Sequence, residues 1–228
     1  MERAALVTGG SSGIGLAIAR MLRDEGYGLT LVSRRPERVE EAAAGLDALA
    51  VAADLSKEDD CVRAVAAHRE RFDRLDVLVN SAGIGILGGV EDIQTKHLDL
   101  QLAVNLRGLI LTTREAMPML VDSRGLVVNL SSIAGTGGVP VLPVYAATKA
   151  AVVNFTQSLN RGSEESGVRA CALCPGFVDT PMASYSGLAS DEMIQPEDCA
   201  EVVRLLLRLS PRARIPVVVI ERVGESFA

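Results

Sequence analysis

A basic surface is the first thing this sequence lacks. Its 228 residues carry 23 Lys and Arg against 29 Asp and Glu, a formal net charge of -6. With no Lys or Arg tract either, nucleic acid and anionic membrane surfaces are excluded as natural partners. No apolar run is long enough to span a bilayer, and no repeat, low-complexity tract or interdomain linker breaks the pattern. A strand-like segment begins at Ala4 with no basic, apolar leader before it, so a reduced, cytoplasmic protein is expected. Histidine is scarce. His68 and His97 are the two present, both in charge-rich helical segments, and both read as solvated surface residues. The four cysteines are Cys61, Cys171, Cys174 and Cys199. Cys171 and Cys174 have C-x-x-C spacing but fall in a buried-strand pattern, where residues three apart point to opposite faces. Neither metal binding nor redox chemistry is expected of them.

What is present suits one compact domain over residues 1–228, since 48% of the residues are hydrophobic and 23% charged, enough to bury an ample core. Short aliphatic or β-branched runs at 4–8, 29–33, 49–53, 77–80, 126–130, 168–174 and 216–220 read as strands. Between them lie helical patterns at 14–25, 57–71, a long one at 96–120, one opened by Pro143 and running to about Ser163, and 196–209. Strand and helix alternating in this way give right-handed crossovers and a doubly wound α/β fold, with a seven-stranded, mostly parallel sheet flanked by helices.

Such sheets bind ligands beyond the carboxyl ends of their strands. After the first strand comes Thr8-Gly-Gly-Ser-Ser-Gly-Ile-Gly15, leading into a helix whose free N–H groups and dipole favour a pyrophosphate. Thr8, Gly9, Ser11, Ser12, Gly13, Ile14 and Gly15 are thus candidate dinucleotide-binding residues. Their T-G-x-x-x-G-x-G spacing resembles that of the short-chain dehydrogenase/reductase family. The resemblance extends in order along nearly the whole chain, to members of the 3-oxoacyl-carrier-protein reductase kind, and implies a single-domain Rossmann fold. At the end of the second strand, where an NAD-binding fold usually places an acid, this chain has Ser33-Arg34-Arg35. A hydroxyl and two guanidiniums can bind and neutralise a 2′-phosphate that a carboxylate would repel. NADP(H) is therefore expected over NAD(H), with Arg34 the main discriminator.

Tyr145-Ala-Ala-Thr-Lys149 places a phenol and an ammonium one helical turn apart on one face. Alone, this spacing more often marks an exposed helical face. With the family resemblance it implies a catalytic pair: Tyr145 as acid and base, and Lys149 lowering its pKa and binding the nicotinamide ribose. Ser132, at the family's interval from Tyr145 and next to a supporting Ser131, would polarise the substrate oxygen. Asn105, an amide among apolar residues, is either a structural hydrogen-bonding group or, by resemblance, the residue whose backbone holds a water in a proton relay. Asp54, which could also cap the next helix although Ser56 suits that better, is expected by resemblance at the adenine, with Leu55. Asn80-Ser-Ala-Gly83 resembles the family's N-N-A-G segment with Ser81 in place of the second Asn, and assigns Asn80, Ala82 and Gly83 to the cofactor wall. Pro175, Gly176, Val178 and Thr180 resemble the segment that closes over the nicotinamide.

The resemblance thus implies a metal-free, NADP(H)-dependent oxidoreductase acting on a carbonyl or secondary alcohol. A non-catalytic dinucleotide sensor, an NAD(H)-preferring dehydrogenase, and epimerases or dehydratases with a similar Tyr and Lys are the alternatives. Ile84, Ile86, Leu87, Ile133, Val139, Leu142, Met182 and Tyr185 are candidate pocket residues, several of which could equally be core. A short substrate lid is expected at about 177–195. By resemblance the protein is a homodimer or homotetramer assembled through the 96–120 and Tyr145 helices, although the ending from Ile220 to Ala228 departs from the family's V-D-G-G.

Overall fold

The computed structural model describes residues 3–224; the expectation about the ending beyond Gly224 lies outside them. Seven strands, β1 (Ala4–Thr8), β2 (Gly28–Ser33), β3 (Leu49–Ala52), β4 (Val77–Asn80), β5 (Leu126–Leu130), β6 (Arg169–Pro175) and β7 (Val217–Ile220), form one sheet in the order β3-β2-β1-β4-β5-β6-β7. Every neighbouring pair is parallel. Burial explains the continuous apolar runs: all five residues of β1 and all five of β5 are buried, because helices cover both faces.

Helices α1 (Gly13–Asp24), α2 (Pro36–Ala44) and α7 (Pro196–Arg208) cover one face. There Ile18, Leu22, Val39, Val203 and Leu206 share a core with Val7, Leu29 and Leu173. On the other face, α3 (Glu58–Phe72) and α5 (Leu109–Ser123) bring Cys61, Val65, Leu111, Met119 and Leu120 onto Leu6, Val32, Leu78 and Val127. Each fully buried Leu or Ile contributes roughly 1.5–3 kcal/mol. The winding reverses between β1 and β4, so their carboxyl ends open a crevice. Among the described residues no helix is long and apolar enough to cross a membrane.

Four expectations need correction. Helix α2 is missing from the sequence reading, although Pro36 stands at its first turn, where a missing N–H costs nothing. The long helix expected at 96–120 is continuous from Thr95 to Ser123 but is not α-helical throughout: α4 (Thr95–Leu102) passes through a π-helical turn (Ala103–Gly108) into α5. The turn ends where Gly108 presses on another backbone: a Cβ there would stand 2.3 Å from the Leu55 carbonyl oxygen. Ser56 does not cap α3. Lys57 occupies the N-cap position without a side-chain bond, while the Ser56 N–H and hydroxyl both donate to Asp54 Oδ1, at 3.1 and 2.8 Å.

His68 is the fourth: it is fully buried. Cys61, Ala64, Val65 and His68 form the buried stripe of α3, a helical period that outweighs the charged residues between them. His68 Nε2 lies 2.9 Å from the Arg74 carbonyl, which can only accept, so Nδ1 accepts from the Thr30 hydroxyl at 2.8 Å. Burial draws the imidazole pKa down from 6.5 to about 4. The unfolded chain therefore binds the proton first as pH falls. The stability that the neutral ring contributes is fully present above pH 6.5 and is lost towards pH 4, roughly 3 kcal/mol in all. Urea-unfolding midpoints of wild type and His68→Asn between pH 7 and 4 should converge as the pH is lowered. Parallel curves would mean that the ring titrates normally.

Candidate active site

The loop from Thr8 to Gly15 is shaped by close approaches. Gly9 and Gly13 have φ of 67° and 51°, the left-handed region that favours glycine. A Cβ on Gly15 would stand 2.4 Å from the Gly9 carbonyl oxygen. Ser12 provides no side-chain cap for α1, and the first turn holds no acid. Its N–H groups and dipole are thus directed at the crevice, a cradle that fits a pyrophosphate. Thr8 is buried instead; its oxygen accepts from the N–H groups of Ser81 and Ala82, at 3.1 and 3.2 Å, and ties β1 to the end of β4.

At the end of β2, the Ser11 hydroxyl donates to Ser33 at 2.9 Å, joining the glycine loop to the Arg34 edge. Arg34 and Arg35 are exposed. Beyond β3, Asp54 is held by Ser56 as described, and Leu55 is buried. The Asn80 amide points into the protein, donating to Thr113 Oγ1 at 3.0 Å and Asn129 Oδ1 at 2.9 Å. Asn129 in turn donates to Thr156 Oγ1, so Asn80 anchors a buried polar ladder across β4 and β5.

The candidate acid and base groups lie on α6 (Pro143–Gly162) and at the end of β5. Ser132 Oγ accepts the Ala134 N–H at 3.1 Å, which leaves its proton free to donate. Burial pushes the Tyr145 phenol up to about 12, while the nearby Ser132 hydroxyl pulls down and Tyr185 pushes up. Lys149 Nζ lies 5.5 Å from the centre of the Tyr145 ring and donates to the Leu130 carbonyl at 2.7 Å. Burial draws its pKa down to about 8, against an upward influence from Cys174. The expected lowering of the phenol pKa by Lys149 does not govern this arrangement. Desolvation of both groups outweighs it.

Asn105 is fully buried in the π-helical turn. Its amide accepts the Ile84 N–H and donates to the Ile84 carbonyl, both at 2.8 Å, and donates to Thr148 Oγ1 at 3.2 Å. The Thr148 hydroxyl donates to the Tyr145 carbonyl at 2.7 Å. The amide thus carries the structural role considered for it, pinning the loop after β4 to the helix of Tyr145. Gly83 separates it from Lys149, for a Cβ on Gly83 would stand 3.4 Å from both Asn105 Oδ1 and Lys149 Nζ.

The expected supporting neighbour, Ser131, donates its hydroxyl to the Lys149 carbonyl at 2.8 Å, and two further positioning residues, Gly135 and Gln101, lie outside the sequence motifs. A Cβ on Gly135 would stand 2.7 Å from the Lys149 carbonyl carbon, so that loop lies directly on α6. Gln101 is buried one helical turn before Asn105 and accepts the Ile86 N–H. A polar residue four before Asn105 was its signal.

Residues 177–195 include two 3-10 turns, Pro181–Ser186 and Ser190–Glu192, and a bridge from Val178 to Ile194 closes their base. Val178 is buried in the core and Thr180 half-buried. A Cβ on Gly13 would stand 2.9 Å from Thr180 Cγ2, so Thr180 reaches the glycine loop. Tyr185 packs edge-on against Phe177 at 6.3 Å. Of the candidate pocket residues, Ile133 and Leu142 are buried, whereas Leu87, Met182 and Tyr185 are exposed. Cys171 and Cys174 are free and buried, and burial pushes the Cys171 thiol up to about 12. No group of His, Cys, Asp or Glu among the described residues could hold a metal ion.

Residues 3–190 match the family described as short chain dehydrogenase. An uncharacterized oxidoreductase of Staphylococcus epidermidis is 36% identical over 208 residues, covering 89% of each chain. An alcohol dehydrogenase from Thermococcus sibiricus, solved with 5-hydroxy-NADP, superimposes with a TM-score of 0.92 at 29% identity, covering 98% of each chain. A 3-ketoacyl-(acyl-carrier-protein) reductase from Brucella melitensis, solved with NADH, gives 0.88 at 30% identity and 96% coverage of each.

Proposed function

The chain belongs to the short-chain dehydrogenase family, and from that premise we propose that it is an NADP(H)-dependent oxidoreductase of carbonyls and secondary alcohols. The observation that carries this reading is the gathering of Ser132, Tyr145 and Lys149, with the Ser132 hydroxyl near enough to act on the phenol and Lys149 Nζ 5.5 Å from the ring centre, at the carboxyl edge of the sheet on which the glycine cradle opens. The residues present fit a dinucleotide. Gly9, Ser11, Ser12, Gly13, Ile14 and Gly15 would hold the pyrophosphate, and Ser33, Arg34 and Arg35 a 2′-phosphate. Asp54 and Leu55 would border the adenine; Asn80, Ala82 and Gly83 the inner wall; Lys149 the nicotinamide ribose; and Pro175, Gly176, Val178 and Thr180 its outer side. When bound, the dinucleotide supplies or accepts the hydride.

Tyr145 donates its phenolic proton to the carbonyl oxygen in reduction and accepts it in the reverse direction. A phenol held near 12 is fully protonated at neutral pH, which suits the reductive direction. Ser132 stabilises the oxygen as negative charge develops. Lys149 places a positive charge beside the phenol and replenishes its proton, and Asn105 holds the backbone from which a water relay would run. A homo-oligomer formed through α4, α5 and α6 completes the reading.

Cofactor choice is the point most open to direct test. Wild type is expected to have the higher kcat/KM with NADPH than with NADH. Arg34→Ala should lose about 10- to 100-fold of that preference, the contribution of a charge-assisted phosphate contact. A wild-type preference for NADH sinks the NADP(H) assignment.

A further inference from the structure

We propose that the site takes an uncharged, largely apolar free carbonyl compound and discriminates against anionic substrates, including acyl groups on an anionic carrier. The inference rests on the reading of Tyr145 as the place of reaction. Three segments border the site. From the loop after β4, a Cβ on Gly85 would stand 3.6 Å from the Tyr145 ring. From the loop after β5 comes Ser132, and the Gly88 N–H donates to the Val141 carbonyl at 3.0 Å to tie these two loops together. The third is 177–195, whose Thr180 reaches the glycine loop, where a Cβ on Gly13 would stand 2.9 Å from Thr180 Cγ2, and whose Tyr185 packs on Phe177.

Their side chains give the entrance its character. Leu87, Val141, Met182 and Tyr185 are 52, 57, 45 and 49% exposed, an apolar rim on all three segments. Residues 83–95, 133–145 and 176–195 contain no Lys or Arg, yet they contain Glu91, Asp92, Asp179, Asp191 and Glu192. Glu91, Asp92, Asp191 and Glu192 are exposed. None of these five carboxylates has a basic partner among the described residues: Asp179 accepts from the Ser190 hydroxyl and Glu192 from the Ala189 N–H. The cation next to the phenol, Lys149, is buried and committed to the Leu130 carbonyl. A carboxylate, phosphate or thioester of coenzyme A would approach through a field of its own sign, with no guanidinium or ammonium on these loops to receive it. An uncharged ketone meets no such barrier and gains from the apolar rim.

The test compares ethyl 3-oxobutanoate, 3-oxobutanoate and 3-oxobutanoyl-coenzyme A as substrates with NADPH. Binding of the first two to the NADP⁺-loaded protein is measured in parallel by saturation-transfer NMR titration. At low ionic strength the neutral ester should show a kcat/KM, and an affinity, higher by about tenfold or more, the compounded effect of several like charges that are individually weak. The gap should narrow several-fold in 0.5 M NaCl and in the quadruple variant Glu91→Gln, Asp92→Asn, Asp191→Asn, Glu192→Gln. Equal or better use or binding of the carboxylate or the coenzyme A thioester overturns the proposal. If the ester binds selectively but no compound is reduced, charge selection stands and the oxidoreductase reading falls, so the two failures are distinct.

Discussion

Tyr145→Phe is expected to slow single-turnover hydride transfer by about 10²- to 10⁴-fold, the usual contribution of a positioned general acid, while leaving the KM for NADPH within a factor of about three. In the proposed mechanism the phenol is the proton donor, and its removal would leave Ser132 as the remaining hydroxyl at the substrate oxygen. Ser132 holds its place without the phenol, because its oxygen accepts the Ala134 N–H. The ring is kept in Phe, so the packing near Gly85 and Lys149 is kept too. In wild type, the reductive rate should be flat through neutral pH, because burial holds the phenol protonated up to about 12. Oxidation of the alcohol, which needs the phenolate, should still be rising at the highest pH the protein tolerates. Stopped-flow absorbance of NADPH reads both directions. A variant rate within threefold of wild type would remove Tyr145 from the chemistry.

The groups that make this prediction specific were unequally legible in the sequence. The glycine loop and the Tyr145 and Lys149 spacing stand out because each demands particular residue types at fixed offsets. The alternation of apolar runs and amphipathic stretches likewise yields the seven parallel strands, since a strand buried on both faces must be apolar throughout. What stayed hidden depends on contacts remote in sequence. The helix expected at 96–120 takes a π-helical turn where Gly108 meets Leu55 and Asn105 reaches Ile84, and no local propensity marks either contact. The charged neighbours of His68 in α3 mask the helical period that buries it. Spacing alone placed Lys149 beside Tyr145. It could not reveal that Lys149 is buried and Tyr145 half-buried, so that desolvation leads the shift of each.

That burial gives Lys149→Met the second large effect. The variant should raise the KM for NADPH and lower kcat together, by about 10²-fold or more in kcat/KM, because one ammonium would serve both the ribose and the phenol. Loss of kcat with an unchanged KM would confine the lysine to proton transfer. Stability offers an independent reading. In the folded protein burial draws Lys149 down from 10.5 to about 8, so the folded state releases the proton before the unfolded chain does. Below pH 8 the cost of burying the charge is fully present, roughly 3 kcal/mol, and it disappears as pH rises from 8 to 10.5. Lys149→Met has no such group, although it leaves the Leu130 carbonyl without its donor, a constant penalty at every pH. The stability of wild type relative to the variant should therefore improve by roughly 3 kcal/mol between pH 7.5 and 10.5 in denaturant titrations. A difference that does not change with pH would show that Lys149 titrates as an ordinary lysine. If the difference follows this course, the protein tolerates a destabilising buried cation at neutral pH, and an apolar residue would serve the fold better there. Such a residue is kept for its chemistry at the expense of stability.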